Sequence, residues 1–370
     1  MSENKLLYQI ALSNIPGVGD INARRLLEYY GNIEDIFSES YNSLIRIPGI
    51  GSSIARSISE NRSLERAEKE VDFISRYGIN TAFISDENYP GRLKECPDAP
   101  ILIYYKGDIK ADAVKVLSIV GTRNATRQGK ELCREIISDL ASRHAGLVIV
   151  SGLAYGIDIC AHKASLSNNI PTLGIMAHGF KTLYPSAHTQ VARDMLLSGG
   201  LITDFLSDAG PDRNNFLKRN RIIAGLADAT LVVESGVKGG AMVTADIAVS
   251  YNRDVLAVPG SPGSKYSAGC NLLLKSQKAS LVENSTDIEY FLNWTPDGSF
   301  RAKQARLIPE LSELEKNILE IIAEKSRISS DELCSITGRQ IQHISPALLS
   351  LEFAGLILSR PGNIYIHRRD

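Results

Sequence analysis

Short apolar runs alternate with helical stretches through the middle of the chain, between residues 113 and 285. Nearly all-apolar runs are typical of strands that are buried on both faces of a sheet. Such runs lie at Leu117–Val120, Leu147–Val150, Pro171–Met176, Leu201–Thr203, Ala229–Val233, Val255–Val258 and Ala279–Val282. Stretches between most of them, such as Gln128–His144 and Ala241–Tyr251, have the apolar spacing of helices. The alternation predicts an α/β fold with a doubly wound, mostly parallel sheet of the Rossmann-like type.

The first 65 residues contain a short internal repeat. Ile15-Pro16-Gly17-Val18-Gly19 recurs as Ile47-Pro48-Gly49-Ile50-Gly51. An apolar-Pro-Gly-apolar-Gly turn between helices is the helix–hairpin–helix signature, and its glycines let backbone N–H groups approach a DNA phosphate. We therefore predict a SAM-like, helix–hairpin–helix domain over residues 1–65. The pattern fits DNA contact and a purely structural role for the two turns equally well.

The segments on either side of the sheet domain differ from it in pattern. Residues 66–112 hold a helical stretch, two strand candidates (Thr81–Ser85 and Ile101–Tyr105) and several prolines, which predicts a connector that packs on the sheet domain. Residues 286–311 are mostly polar, with Pro, Gly and Asp, and are predicted to be a linker.

The last segment, residues 312–370, has the pattern of a winged helix. Helical spacing covers Leu311–Ala323 and Ile341–Phe353, Ser330-Asp331 is expected to begin a short helix between them, and a β-hairpin is expected around Pro361-Gly362. Three helices followed by a hairpin favour DNA binding through the third helix. That helix begins with polar residues and then turns apolar, so a protein-binding role is equally compatible with its sequence.

Composition limits the kinds of site to expect. The 370 residues include 41 Lys and Arg against 42 Asp and Glu, with a formal net charge of −1, so any nucleic-acid site must be a local patch. The five cysteines are scattered without CxxC or Cys/His ligand spacing, which argues against a disulfide framework and against a metal site. The start of the chain has no basic region followed by a long apolar run, and no window holds about 18 uninterrupted apolar residues. Neither a signal peptide nor a membrane span is therefore expected, and a cytoplasmic protein fits best.

Glycine-containing turns follow the first two strands of the sheet domain, where open α/β sheets bind ligands. Turns of this kind and helix N-termini present backbone N–H groups to anions, above all phosphates. A third Gly-Gly turn and a dense basic cluster follow later in the domain. The candidate DNA-binding residues are Gly121, Thr122, Arg123, Ser151, Gly152, Lys218, Arg219, Asn220, Arg221, Gly239 and Gly240. We expect them to lie along one rim of the sheet and to hold consecutive phosphates.

An ordered set of motifs between residues 120 and 275 resembles the DNA-processing protein A (DprA/Smf) family. The motifs are Val120-Gly121-Thr122-Arg123, the segment from Ser151 to His162 (SGLAYGIDICAH), Tyr184-Pro185, Gly199–Asp204 (GGLITD), Phe216–Gly225 (FLKRNRIIAG), Gly239–Ala245 (GGAMVTA), Val258-Pro259-Gly260 and Ser267–Leu273 (SAGCNLL). Each motif alone is weak, but the ordered set is specific.

The resemblance implies a cytoplasmic bacterial protein that binds single-stranded DNA and helps to load the RecA recombinase in natural transformation. It implies an extended Rossmann-like domain that forms a homodimer, without known catalysis and without a cofactor. One segment departs from the family pattern, because Lys181 stands where the family typically has an acidic residue. Lys181 is included among the candidate DNA-binding residues for its charge, and Phe180 or Tyr184 is a candidate for stacking on a base.

Three other functions fit the sequence less well. The fold also resembles nucleotide phosphoribohydrolases of the lonely-guy type, in which Asp246 would stand at the position of the acid–base Glu, although the Pro and the third Gly of that motif are missing. A dinucleotide-binding oxidoreductase requires a GxGxxG motif that Gly121-Thr122-Arg123 does not supply. A scaffold that binds only proteins is disfavoured by the basic residues expected at the rim.

Overall fold

The computed structural model describes residues 3–60, 63–110, 113–297, 311–325, 328–354, 356–360 and 364–367. The chain forms two compact units, residues 1–297 and residues 298–370.

Six helices begin the first unit. They are α1 (Glu3–Ser13), α2 (Asp20–Tyr30), α3 (Ile33–Ser38), α4 (Tyr41–Leu44), α5 (Ser52–Ser59) and α6 (Leu64–Tyr77). The two repeats are structurally equivalent, because Gly17 and Gly49 have φ angles of +83° and +87°, a region that only glycine adopts easily. The helix–hairpin–helix architecture is therefore confirmed.

The first hairpin packs against the rest of the unit. Asp20, at the start of α2, accepts a hydrogen bond from the Ile101 N–H, and Arg24 donates to the carbonyl oxygens of Lys94 and Cys96. The polar groups at the start of α2 are thus used to attach the helices to the sheet.

The sheet and its helices make up the rest of the first unit. In chain order they are β1 (Asn80–Phe83), α7 (Gly91–Lys94), β2 (Leu102–Gly107), β3 (Lys115–Val120), α8 (Arg127–Arg143), β4 (Leu147–Gly152), α9 (Ile157–Ser167), β5 (Thr172–Ile175), a 3₁₀ turn (Ser186–His188), α10 (Thr189–Met195), β6 (Gly200–Thr203), α11 (Arg213–Leu226), β7 (Ala229–Val232), α12 (Gly240–Ser250), β8 (Asp254–Ala257), α13 (Ala268–Lys275), β9 (Ser280–Leu281) and α14 (Ser285–Leu292).

Within the described residues, nine strands form one sheet in the order β1-β2-β6-β5-β4-β3-β7-β8-β9. β1 pairs antiparallel with β2 and β2 antiparallel with β6, and every other pair is parallel. The predicted doubly wound, mostly parallel sheet is confirmed. Successive strands are added on one side of β3 from β4 to β6 and on its other side from β7 to β9, so the order of strand addition reverses between β3 and β7. Ligands bind open α/β sheets at such a point.

Two segments at the borders of the sheet domain differ from their predicted roles. The predicted connector supplies β1 and β2, which extend the sheet at one edge. The predicted linker begins as helix α14, whose capping box joins Asn284 and Asp287. Beyond that helix, Asp297 still accepts a hydrogen bond from the Ala145 N–H at 2.6 Å. The linker prediction is wrong for residues 286–297, and residues 298–310 lie outside the described residues.

The second unit is a winged helix, as predicted. It contains α15 (Glu313–Lys325), β10 (Ile328–Ser329), α16 (Ser330–Thr337), α17 (Ile341–Phe353), β11 (Ile357–Arg360) and β12 (Ile364–His367). Its small sheet has the order β10-β12-β11. The cap of α16 is Ser329, one residue before the predicted position, and its partner in the capping box is Glu332. The expected turn at Pro361-Gly362 lies outside the described residues. No helix in the described ranges of either unit is long and apolar enough to cross a membrane.

Candidate nucleic-acid interface

A cleft of about 900 Å³ opens at the point where strand order reverses. Its walls come from the segments that follow β3, β4 and β7 and from the first half of α11. Four cationic side chains line it, namely Arg123, Arg213, Arg219 and Lys238, against the carboxylates of Asp158 and Asp212. The cleft is therefore locally positive in a chain whose net charge is −1.

Arg123 is the exposed cation beside an aromatic ring. Its guanidinium carbon lies 4.9 Å from the centre of the Phe216 ring. Tyr184 is 44% exposed and stands edge-on to Phe216, with ring centres 6.1 Å apart. A guanidinium that binds a phosphate next to two accessible rings is an arrangement typical of single-stranded nucleic-acid sites.

The loop that carries Arg123 is fixed at both ends. The Thr122 N–H donates to the Glu234 carbonyl oxygen at 2.7 Å, and the Ile157 N–H donates to the Thr122 carbonyl oxygen at 3.3 Å. Further along, the Glu234 carboxylate accepts hydrogen bonds from the backbone N–H and the hydroxyl of Thr126. The backbone that carries Arg123 is thus held in place before any ligand binds, which reduces the entropy lost on binding.

Asp158 occupies the anion-binding position between the first two turns. Its carboxylate accepts hydrogen bonds from the N–H groups of Ala154 and Gly121. Burial raises the pKa of Asp158 to about 6, while Arg219 and these two hydrogen bonds oppose the increase. The N–H group of Gly121, predicted to bind a DNA phosphate, therefore already has an internal acceptor. That expectation is corrected, although Gly121 and Thr122 do line the cleft.

Ser151 and Gly152 lie beneath the cleft and not on its surface. Ser151 is fully buried and its hydroxyl donates to the Ile119 carbonyl oxygen. Gly152 leaves room for two buried side chains, because a Cβ atom there would lie 2.3 Å from Arg219 Nη1 and 2.5 Å from Asp158 Oδ2. The prediction of a DNA-facing turn here is wrong, because both residues belong to the end of strand β4 and the side chains of Asp158 and Arg219 cover Gly152.

The basic cluster on α11 divides between two faces of the helix. Arg219 and Asn220 line the cleft, and both are more than 90% buried. Lys218 and Arg221 instead line a second, smaller cleft of about 420 Å³ next to the first hairpin. The expectation that all four residues point at the rim of Arg123 is thus wrong for Lys218 and Arg221. Positions 218 and 221 share one helical face and position 219 lies on another.

The two arginines of the cluster have internal partners. Arg221 is buried and pairs with Asp204 at 2.5 Å and with Asp20 at 3.0 Å. Lys218 shares Asp204 at 3.3 Å. Arg219 donates to the Ile175 carbonyl oxygen, its Nε has no partner among the described atoms, and burial lowers its pKa to about 10. Arg219 therefore adds positive potential at the buried wall of the cleft, whereas Arg221 stabilises the fold.

The third predicted turn stands at the start of α12. Gly239 and Gly240 line the cleft, as does the exposed Lys238. The Gly239 N–H donates to the Gly236 carbonyl oxygen, whereas Gly240 faces open space. The first N–H groups of α12 thus begin at the cleft wall, where the positive end of a helix favours an anion.

Lys181 is exposed, and its backbone N–H donates to the Ser207 carbonyl oxygen. It is not among the residues that line the cleft. Its predicted contact with DNA is therefore placed outside the cleft and stays a prediction.

A sequence model of the family described as DNA recombination-mediator protein A matches residues 80–293, more than half of the chain. The chain belongs to this family, the DprA/Smf proteins. A helix-hairpin-helix motif model matches residues 9–67, and a model of the DprA winged helix domain matches residues 302–363. The resemblance recognised from the ordered motifs is confirmed.

Relatives in the family match most of the chain. Protein Smf from Escherichia coli K12 is 33% identical and covers 76% of each chain, and a putative DNA processing protein DprA from Mycobacterium tuberculosis is 31% identical over 88% of this chain and 86% of its own. The crystal structure of DprA from Streptococcus pneumoniae has a TM-score of 0.65 at 29% identity, covering 77% of this chain and 97% of that one. DprA from Helicobacter pylori, whose structure addresses its single-stranded DNA binding mode, has a TM-score of 0.52 at 28% identity, covering 58% and 94%.

The residue that would support phosphoribohydrolase chemistry lies elsewhere in this family member. Asp246 is the seventh residue of α12, pairs with Lys278 at 2.7 Å and is not among the cleft-lining residues. The geometry gives this carboxylate no role in acid–base chemistry on a ligand in the cleft.

Sequence reasoning missed two residues of the cleft, Arg213 and Phe216. Both precede the basic cluster on α11, and Asp212 caps this helix by accepting the Asn214 N–H. The signal was present, since a capping Asp at 212 predicts a helix start. Helical spacing then places residues 213, 216 and 220 on one face.

Proposed function

We propose that the cleft between β3 and β7 binds single-stranded DNA. The observation that carries the proposal is Arg123, an exposed guanidinium on a fixed loop, over the accessible ring of Phe216. Three further features support it, namely the excess of cations over carboxylates in the cleft, the start of α12 at its wall, and the single-stranded DNA binding of the Helicobacter pylori relative.

The proposed contacts follow from the chemistry of each group. Arg123 donates to a backbone phosphate. Thr122 and Gly240 also line the cleft, and they contact the neighbouring sugar-phosphate group. Phe216 and Tyr184 stack on bases, which binds a strand without selecting its sequence. Lys238 and Arg213 add exposed positive charge at the mouth of the cleft.

The family suggests how the bound strand is used. We propose that the protein acts as a homodimer in natural transformation and delivers the strand to RecA. The description of the family as recombination mediators and the curated DprA relatives support this role.

The proposal is tested by DNA titration of the full chain with Arg123→Ala and Phe216→Leu. Arg123→Ala removes one phosphate contact, so the slope of log affinity against log salt should become shallower by about 0.7. Phe216→Leu keeps an apolar side chain but removes the stacking ring, which should weaken binding of an unpaired strand by about 1–3 kcal/mol. Both variants should reduce RecA assembly on the strand in proportion.

The matched control is Lys275→Ala, which removes an exposed cation from the last turn of α13, outside the cleft. Its affinity should equal that of the wild type. The proposal is refuted if Arg123→Ala and Phe216→Leu bind an unpaired oligonucleotide as tightly as this control does.

A further inference from the structure

A second basic cavity shares Arg123 with the cleft. It measures about 400 Å³ and lies between α8 and α9. Four cationic side chains line it, and they are Arg123, Lys130, Arg134 and Lys163. Its lining contains no Asp or Glu, in contrast to the cleft, which contains two carboxylates.

The cations of this cavity are free to bind a ligand. Arg134 and Lys163 are exposed, and neither they nor Lys130 approaches a described carboxylate within 4 Å. The neighbouring Arg127, by contrast, pairs with Glu131 at 2.7 Å on the same helix. Lys130 and Arg134 are four residues apart on α8, and like charges at that spacing destabilise a helix. A purely structural role does not explain this spacing, whereas an anionic ligand does.

Tyr155 supplies an aromatic face at the edge of the cavity. Its ring is 47% exposed and packs edge-on against His188, with centres 4.8 Å apart. His188 is itself held by a 2.8 Å hydrogen bond between its Nδ1 and the Leu153 carbonyl oxygen. The ring is thus fixed on one side and accessible on the other, as a base-stacking surface requires.

The thiol of Cys160 lies in the wall of this cavity. Its pKa is lowered to about 7, chiefly by a hydrogen bond with Cys133, and Arg134, Lys130 and Lys163 act in the same direction. Three side chains from two helices therefore act on one point in the cavity wall.

We infer that this cavity, formed by Lys130, Arg134, Lys163 and Tyr155, continues the path of the single strand beyond the cleft, with Arg123 contacting the phosphate at the junction. The inference rests on the proposed function of the cleft. It names a strand and not an isolated anion, because the two cavities share Arg123 and because each pairs free cations with an accessible ring. An unpaired strand is required, since the bases of a duplex do not expose their faces to Tyr155.

The test compares oligothymidylates of about 6 and about 30 nucleotides on the full chain, with a double variant, Arg134→Ala/Lys163→Ala. Both side chains are exposed, so the variant should fold as the wild type does. Two lost phosphate contacts should weaken binding of the long strand by roughly five- to thirtyfold. They should also make its salt slope shallower by about 1.4. The short strand, held in the cleft, should keep its affinity, and Lys275→Ala is the charge-matched control for both lengths.

The outcomes separate this inference from the proposed function. If the wild type binds neither strand, or if Arg123→Ala has no effect on either, the proposed function fails. If Arg123→Ala weakens both strands but the double variant binds the long strand as the control does, the cavity is not on the path. Equal loss for both lengths also overturns the inference, because the cavity would then hold the short strand itself.

Discussion

Replacing Arg221 should destabilise the first unit, because this side chain is part of the fold and not of the cleft. Arg221 is 6% exposed, and its guanidinium pairs with Asp204 at 2.5 Å and Asp20 at 3.0 Å. It also donates to the carbonyl oxygen of Asp98, so it ties the first hairpin, the segment after α7 and the end of β6 together. In Arg221→Ala, Lys218 at 3.3 Å would be the remaining cationic partner of Asp204 among the described residues. The other oxygen of Asp204 has no hydrogen-bond partner among the described atoms even in the wild type.

The size of the effect follows from the burial of Asp204, whose side chain is 2% exposed. Breaking a buried pair by removing one partner costs about 3–5 kcal/mol, against a total stability of about 5–15 kcal/mol for a typical domain. Thermal unfolding followed by circular dichroism should show a midpoint lowered by at least roughly 5 °C. Arg123→Ala, which removes an exposed side chain, should stay within about 0.5 kcal/mol of the wild type.

The pH dependence distinguishes a lost ion pair from a lost packing contact. Burial acts to raise the pKa of Asp204, but Arg221 and Lys218 together hold it below its ordinary value. The wild type therefore gains stability from this pair at pH above about 4 and loses it as the pH falls lower. In Arg221→Ala the pKa of Asp204 rises, so the difference in stability between the two proteins should shrink as the pH is lowered from 7 toward 4. A midpoint equal to that of Arg123→Ala, or a difference that is independent of pH, would refute the ion-pair argument.

Two further predictions concern Gly152 and Asp158, two buried residues at the cleft. Gly152→Ala should destabilise the first unit by about 1–3 kcal/mol in a urea titration, because its Cβ would collide with Arg219 and Asp158, whereas Gly240→Ala, in open space, should leave the midpoint unchanged. Since burial raises the pKa of Asp158 to about 6, the folded state takes up a proton as the pH falls from 7 toward 4. The unfolding free energy of the wild type relative to Asp158→Asn should therefore increase over that range by on the order of 2–3 kcal/mol, and a constant difference would contradict the raised pKa.

Sequence reasoning succeeded where the signal is local. Buried strands are apolar because both faces of the sheet are covered, so their positions were predictable to within two or three residues. Exposed Arg123 follows from its place in a glycine-containing turn after β3. The helix α14 was missed although its capping residues Asn284 and Asp287 stand in the sequence, because the following residues are polar and resemble a linker.

Sequence reasoning failed where the answer depends on distant partners. Ser151, like Arg123, stands beside a glycine after an apolar run, but it belongs to strand β4 and is fully buried. The partners of Arg221 are 17 and 201 positions away in the chain, at Asp204 and Asp20. No local sequence pattern indicates partners at such separations in the chain. Helical spacing alone would have separated Arg221 from the cleft-facing Arg219, but it would not have shown which face meets carboxylates.

These cases lead to a single physical criterion for the site. A cation that has a buried carboxylate partner has already lost its hydration and gained its Coulomb energy in the fold, so it has little left to offer a phosphate. An exposed cation without such a partner keeps its hydration and can still gain Coulomb energy from a phosphate. By this criterion the densest basic segment of the sheet domain, residues 218–221, contributes less to DNA binding than its sequence suggests. By the same criterion we expect Lys130 and Arg134, neighbours on α8, to contribute more, together with Lys163, which the packing of α9 against α8 brings beside them.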